Sequence, residues 1–414
     1  MNINKRALAI TLLASFLVWR VLSLGMADHF ARDEPERALF WRSEHPEALF
    51  RAAQLKVQAK QWAEAKVLGQ KALRANPLDG RCLRILAQVA EAQGNEMQAL
   101  VLFQKAAELA PRDLVSHAWL MENALRQKQA EPAVRHLDAL LRIKPALLPN
   151  LQAQVDVLAV NPETRSFLIK ELKRNPEWRA PFLGALASAK FPVEAISHVF
   201  EQLSHQHDMQ PNEYLQPNEY LPWLLRLRQE MKYTQAYVTW ANLIPKADRK
   251  YLGNVFDGGF ELPFDDQGGD FTWQSKPVPG AFAQQLSAQG VIGDNAYMVE
   301  FDGRRTAFAN LTQLMVLPAG TWQLNYRAKA NRLDSTRGII WRISCESDGR
   351  VLLETEPMRG QFDWRELKQN FTIPTECSGQ RLTLLIPARI SAETQINGSL
   401  WLDEVRIQAV EGKL

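Results

Sequence analysis

Leu83-Arg84-Ile85-Leu86-Ala87, continued through Ala99, Phe103 and Ala106 to Pro111, decides the fold of the first half of this chain. It is the middle of three copies, because Pro77, Pro111 and Pro145 are spaced by 34 and 34 residues. The segments before the prolines align as well. Ala65, Ala99 and Ala133 share one phase, Ala72 and Ala106 share another with Leu140, and Gly94 falls in a turn. Leu49, Leu83 and His117 recur at a third phase, and Ala53, Ala87 and Met121 at a fourth. A fixed period of this length signals a stacked repeat architecture. Small residues let two antiparallel helices approach, while Leu83, Leu86 and Phe103 fill the gaps between neighbours. Proline then stops the second helix of each pair, because it lacks an N–H and crowds the preceding turn.

The pattern resembles the tetratricopeptide repeat over roughly residues 46–145. The first copy departs at Lys56 and Gly69, and the third at His117, Met121 and Leu140. A partial unit starts near Pro35. Residues 146–250 continue helical without a clean period: Pro162 and Pro176 are 14 apart, and Phe167–Lys173, Ile196–Leu203 and Trp223–Arg228 read as short helices. Residues 210–215 and 216–221 repeat Gln-Pro-Asn-Glu-Tyr-Leu, and are expected to be a surface-loop expansion. The resemblance implies a groove for partner proteins.

The chain has 414 residues, 46% of them hydrophobic, which suggests more than one folded unit. Residues 251–414 hold 16 Lys/Arg against 20 Asp/Glu, leaving 33 against 26 for residues 1–250. Neither balance is the basic excess of a phosphate-backbone reader, so no nucleic-acid partner is expected. Residues 1–27 look like an export segment: Lys5 and Arg6 precede the apolar stretch Ala7–Trp19. A cleaved signal peptide and an uncleaved anchor running on through Val21–Met26 both fit. Either places the rest outside the cytoplasm, and the anchor places it in the periplasm at the inner membrane. Cys345 and Cys377 fit one disulfide in an oxidising compartment, or two separately buried thiols.

After Leu252 the character changes. Glycines cluster at 253, 258, 259, 268 and 269, and segments of period two follow. Trp322, Leu324, Tyr326 and Ala328 share a face, as do Ile339, Trp341, Ile343 and Cys345. Trp401, Asp403, Val405 and Ile407 are expected to share another, opposite Leu402, Glu404 and Arg406. Such half-buried antiparallel strands with Gly/Pro turns predict a β-sandwich. The expected fold class is therefore multidomain α and β: an export segment over 1–27, an α-solenoid of helical hairpins over 35–250, and a β-sandwich over 252–410.

The order of Asn254 to Gly259-Phe260-Glu261, then Leu317-Pro318-Ala319-Gly320-Thr321-Trp322, then Gly398-Ser399-Leu400-Trp401-Leu402-Asp403-Glu404-Val405 resembles jelly-roll carbohydrate-binding modules over about 254–408. The resemblance implies a structural calcium through Glu261 and Asp403, with backbone carbonyls completing the shell. It also implies sugar held by stacked aromatic rings. Trp322, Tyr326 and Trp341 alternate with core residues and are expected to pack inside. That leaves Trp273, after an acidic loop, and Trp364, in Gln361-Phe362-Asp363-Trp364-Arg365, as surface candidates. The polar face of Asn325, Arg327 and Arg342 is expected to line a shallow groove or to be a solvated sheet face.

The sequence carries no phosphate loop, metal-binding His pair or nucleophile elbow. His205 and His207 lie in a polar run, and Asp265 and Asp266 are adjacent in a loop, unlike an acid/base couple. The expectation is a non-catalytic envelope scaffold that binds envelope proteins of a polysaccharide assembly and export system, and polysaccharide itself. The alternative is a polysaccharide-active hydrolase or lyase.

Overall fold

The computed structural model describes residues 5–188, 191–204, 215–264 and 266–410, so His205, His207 and Asp265 lie outside the described residues. The chain divides into two compact units, residues 1–178 and 179–414.

The first unit opens with α1 (Lys5–Phe30), apolar and long enough over Leu8–Phe30 to cross a membrane. The short α2 (Pro35–Trp41) packs against its C-terminal end, burying Ala31 with Ala38 and Ala48. Three hairpins follow: α3 (Pro46–Gln58) with α4 (Trp62–Ala75), α5 (Gly80–Ala92) with α6 (Glu96–Leu109), and α7 (Leu114–Arg126) with α8 (Ala130–Ile143). Both helices of each hairpin start 34 residues after their counterparts.

The causes repeat at the same period. His45, Asp79 and Asp113 occupy the N-cap, each accepting a backbone N–H of the first turn. Lys60, Gly94 and Lys128 turn between the paired helices with φ of 57°, 76° and 56°. Ala65, Ala99 and Ala133 are fully buried, and so are Ala72 and Ala106. Gly80 is required by space, since a Cβ there would lie 2.6 Å from the Ala106 carbonyl oxygen. The unit ends with α9 (Gln152–Val160) and α10 (Pro162–Leu172).

The second unit begins with α11 (Arg179–Ala187), α12 (Val193–Ser204), α13 (Pro217–Gln229) and α14 (Tyr233–Leu243). The second hexapeptide copy is not the surface loop expected of it. It forms the first turn of α13, where the Glu219 carboxylate receives the Gln216 N–H and pairs with Arg179 at 2.9 Å. Both charged side chains are buried, so the pair ties α13 to α11 out of water. Of the first copy only Leu215 is among the described residues.

The sandwich consists of two five-stranded antiparallel sheets. Sheet A runs β1 (Gln274–Ser275), β4 (Ala309–Met315), β9 (Gln380–Leu385), β6 (Ile340–Cys345), β7 (Val351–Glu354). Sheet B runs β2 (Ala281–Leu286), β3 (Ala296–Arg305), β10 (Gln395–Ala409), β5 (Gly320–Ser335), β8 (Gly360–Ile373). Trp322, Leu324, Tyr326, Ile339, Trp341, Ile343 and Cys345 all enter the core between the sheets, as the alternation predicts. The Trp322 indole N–H also closes the Pro–Gly turn, donating to the Pro318 carbonyl at 3.0 Å.

Cys345 and Cys377 form a disulfide, with Cα atoms 5.6 Å apart. Near that end of sheet A the last helices pack on the sandwich. Trp240 stacks on Phe271 at 5.2 Å, Tyr233 lies against Gly379, and Arg228 bonds Glu346.

Candidate functional site

β10 departs from strict alternation. Its register to β5 shifts between Asp403 and Arg406, and Glu404 sits at φ 54°. This β-bulge inserts one residue and so exchanges faces beyond it. Trp401 and Asp403 therefore point outward, while Val405 and Ile407 join the core with Leu400 and Leu402. The expectation that Trp401, Asp403, Val405 and Ile407 share a face is overturned by this one extra residue.

The outer face of sheet B carries a row of cross-strand neighbours: Gln284, Met298, Trp401 and Lys329. Lys329 pairs with Asp363 at 3.1 Å. One row further, Phe282 is 60% exposed opposite Glu300. Trp401 is partly exposed at the centre of the sheet. Sequence reasoning missed it, because the alternation assigned it to the same face as core residues.

Trp364 lies on the same face and is held in place. Its indole N–H donates to the Gln289 carbonyl at 3.1 Å, and the Arg327 guanidinium lies 5.0 Å from its ring centroid. Gly290 leaves room for the ring, since a Cβ there would meet the indole at 2.6 Å. Arg327 also donates to the Gly290 carbonyl at 2.9 Å and to Asp403 at 3.2 Å. Asn325, on the same strand, is nearly covered.

Two expectations need correction. Trp273 is buried at 2% exposure: its ring packs on Phe260 and Trp341, and its N–H donates to the Asp257 carbonyl at 2.9 Å. It is a core residue and offers no surface for sugar. Arg342 lies on sheet A, where it bonds Glu354 at 2.8 Å, whereas Asn325 and Arg327 lie on sheet B. The three sit on opposite outer faces of the sandwich and cannot line one groove. The outer row of sheet A is Gln274, Thr312, Thr383, Arg342 and Glu354, without an aromatic ring.

Glu261 and Asp403 grip one loop. The Glu261 carboxylate accepts the Asp294 N–H at 3.0 Å, and Asp403 Oδ2 accepts the Ile292 N–H at 2.8 Å. Asp403 is fully buried, and its Oδ1 has no hydrogen-bond partner. Burial pushes its carboxyl above the usual range, against the Ile292 N–H that lowers it. A buried carboxylate oxygen without a partner is the kind of donor a hard cation takes. Arg327 supplies positive charge to the other oxygen. Among the described residues no three His, Cys, Asp or Glu side chains are grouped to share a metal.

No protein-family model matches the chain, and no curated protein matches it. Several solved structures are similar to the sandwich. A CBM4 module is 12% identical, covering 38% of this chain and 99% of its own, with a TM-score of 0.28. TmCBM61, solved with β-1,4-galactotriose, is 18% identical over 39% of this chain and 98% of its own, with a TM-score of 0.27. The CBM22-1 xylan-binding domain of Paenibacillus barcinonensis Xyn10C is 12% identical over 34% and 86%, with a TM-score of 0.25.

Proposed function

We propose that this chain is a non-catalytic scaffold of the bacterial envelope, binding a glycan through its sandwich and partner proteins through its repeats. The single observation that carries the glycan half is Trp401. It is a large aromatic side chain turned outward at the centre of sheet B, among Gln284, Lys329 and Asp363. A partly exposed indole with polar neighbours offers what a pyranose needs: a flat apolar surface and donors and acceptors for its hydroxyls. The 34-residue spacing of helices, caps and turns supports a tetratricopeptide-type array, and such arrays present extended surfaces to partners. The setting would be polysaccharide assembly and export.

Residues 1–27 remain attached in this reading. Ala27 is fully buried, and Asp28 lies 2.7 Å from the His45 ring that caps α3. Cleavage after Ala27 would remove a fully buried residue and cut α1 next to the Asp28 that bonds His45. The disulfide fits the same oxidising, periplasmic location. A calcium ion would be held by Asp403 and Glu261 with neighbouring backbone carbonyls, fastening the loop to β10. Its test is thermal unfolding with calcium or chelator, where an unchanged midpoint overturns it.

The glycan reading is tested by affinity electrophoresis of the full chain through gels containing bacterial exopolysaccharides, galactans or xylans. Retention by one of them is expected, and Trp401→Ala should weaken it about tenfold, the equivalent of roughly 1.4 kcal/mol. Retention by none of the polymers would overturn the sugar half.

A further inference from the structure

Two Trp-Arg pairs occur near the N-terminus, Trp19-Arg20 and Trp41-Arg42. They lie 22 residues apart in sequence but meet in space: the Trp19 and Trp41 rings are 5.9 Å apart, joining α1 to the end of α2. Phe40 stands beside them, 6.0 Å edge-on to Trp41. At 85% exposure it is the most exposed large apolar side chain among the described residues. Arg20 and Arg42 are both exposed, and neither makes an ion pair among the described residues.

Length arithmetic places this cluster. Lys5 and Arg6 belong at the cytoplasmic headgroups. A hydrocarbon core of about 30 Å takes roughly 20 helical residues at about 1.5 Å each, which reaches from Lys5 to about Leu24. Trp19 therefore lies about 7 Å short of the far edge, inside the bilayer boundary. Trp41 touches Trp19, so the end of α2 sits at that depth too.

We infer that the α2 end, Phe40 and Trp41 with Arg42, is a second membrane contact that seats the first repeat on the bilayer beside α1. The inference rests on the reading that residues 1–27 stay attached. Tryptophan rings favour the membrane–water interface, and long arginine side chains reach from there to lipid phosphates. Lipid at this depth would cover Phe40, which is otherwise 85% exposed. One helix crossing a bilayer leaves the attached domain free to swivel, whereas a second contact fixes one face of the first hairpin toward the lipid.

The test places a nitroxide on the full chain in vesicles of phosphatidylethanolamine and phosphatidylglycerol, at Phe40→Cys, Leu12→Cys or Met97→Cys in turn. The unsubstituted protein controls for labelling of buried Cys82. Met97, 74% exposed on α6, is the aqueous reference. Accessibility to oxygen and to a water-soluble nickel complex reports depth. The expected result is loss of nickel accessibility at 40 relative to 97, with 12 deeper still. A label at 40 as accessible to nickel as that at 97, with 12 in lipid, overturns the inference and leaves the anchor standing. Aqueous readings at both 40 and 12 overturn the anchor reading itself.

Discussion

The three hairpins from Pro46 to Ile143 and the sandwich after Leu252 store their register in different places. In the hairpins the cap at 45, 79 and 113, the left-handed turn at 60, 94 and 128, and the proline at 77, 111 and 145 all keep one period. Each device acts within a few residues of itself, so the chain spells out its own geometry. In the sandwich the pairings are distant: Trp401 meets Met298 and Lys329, and Asp403 meets Arg327. One extra residue in β10 swaps its faces, with no local signature except an uncommon φ at Glu404. Helical register is local and sheet register is not, and the two regions should fail differently when disturbed.

The largest effects should come from their cores. Trp341 is fully buried among Trp273 and Tyr326, and Phe103 is fully buried against Trp119 at 4.4 Å. Trp341→Ala and Phe103→Ala should each cost about 3–5 kcal/mol. In urea titrations Trp341→Ala should lower the sandwich transition, followed by hydrogen exchange of the strands, and spare the hydrogen exchange of α3 to α8. Phe103→Ala should do the reverse. Coincident shifts of both signals in either variant would break the division into two units.

Next comes the covalent link, which only the sandwich possesses. Cys345 and Cys377 are 32 residues apart, and opening a loop of that length frees unfolded-state entropy of about 3–4 kcal/mol. A Cys345→Ala, Cys377→Ala protein should lose about 2–4 kcal/mol in the sandwich transition and nothing in the repeats. Equal losses in both would mean the units unfold as one.

The two regions should also answer pH with opposite slopes. His136 hydrogen-bonds His117 at 3.0 Å, and burial, reinforced by His117, pushes its pKa down to about 4. Between that value and the unfolded value of about 6.5, the unfolded chain binds the extra proton, so the repeat unit loses stability as pH falls. Asp257 is the converse. Burial pushes its carboxyl up to about 6 despite two backbone N–H groups from Glu261 and Leu262. Between about 3.9 and 6 the folded sandwich holds the extra proton, so this group's contribution falls as pH rises. Urea midpoints at pH 4 to 6.5 should show the repeat slope flattened by His136→Ala. A slope unchanged in that variant would place its origin elsewhere.

The helical hairpins and the sandwich core were legible in the sequence because their signals are periodic. Ala99, Phe103 and Trp341 are buried where phase or alternation puts them. The candidate site was less legible. Trp273 follows polar residues, yet its ring turns into the core through contacts with Phe260 and Trp341, both distant in sequence. Arg327 and Arg342 look equivalent along the chain, and only strand order reveals that they belong to different sheets. The second hexapeptide copy carries local helix-start signals, Pro217 in the first turn and Glu219 receiving the Gln216 N–H, which its exact duplication as a short insert masked. What was illegible at Trp273 and at Arg342 is a long-range pairing.

The smallest effect isolates the local side of this contrast. Asp79 begins α5 by accepting the Arg81 N–H at 3.0 Å, and also bonds the Arg81 side chain. Asp79→Ala should cost about 1 kcal/mol, because it leaves a first-turn N–H without its acceptor. Asp79→Asn keeps an acceptor of the same shape and should recover most of the loss, since a partly exposed ion pair contributes little. Both changes should appear in the helical transition of the first unit, read by circular dichroism at 222 nm. If Asn were as damaging as Ala, the charge pairing of Asp79 with Arg81 would outweigh the cap. The register of the repeats would then rest on ion pairs such as Arg81–Glu47, which reach across neighbouring hairpins, and its local character would be lost.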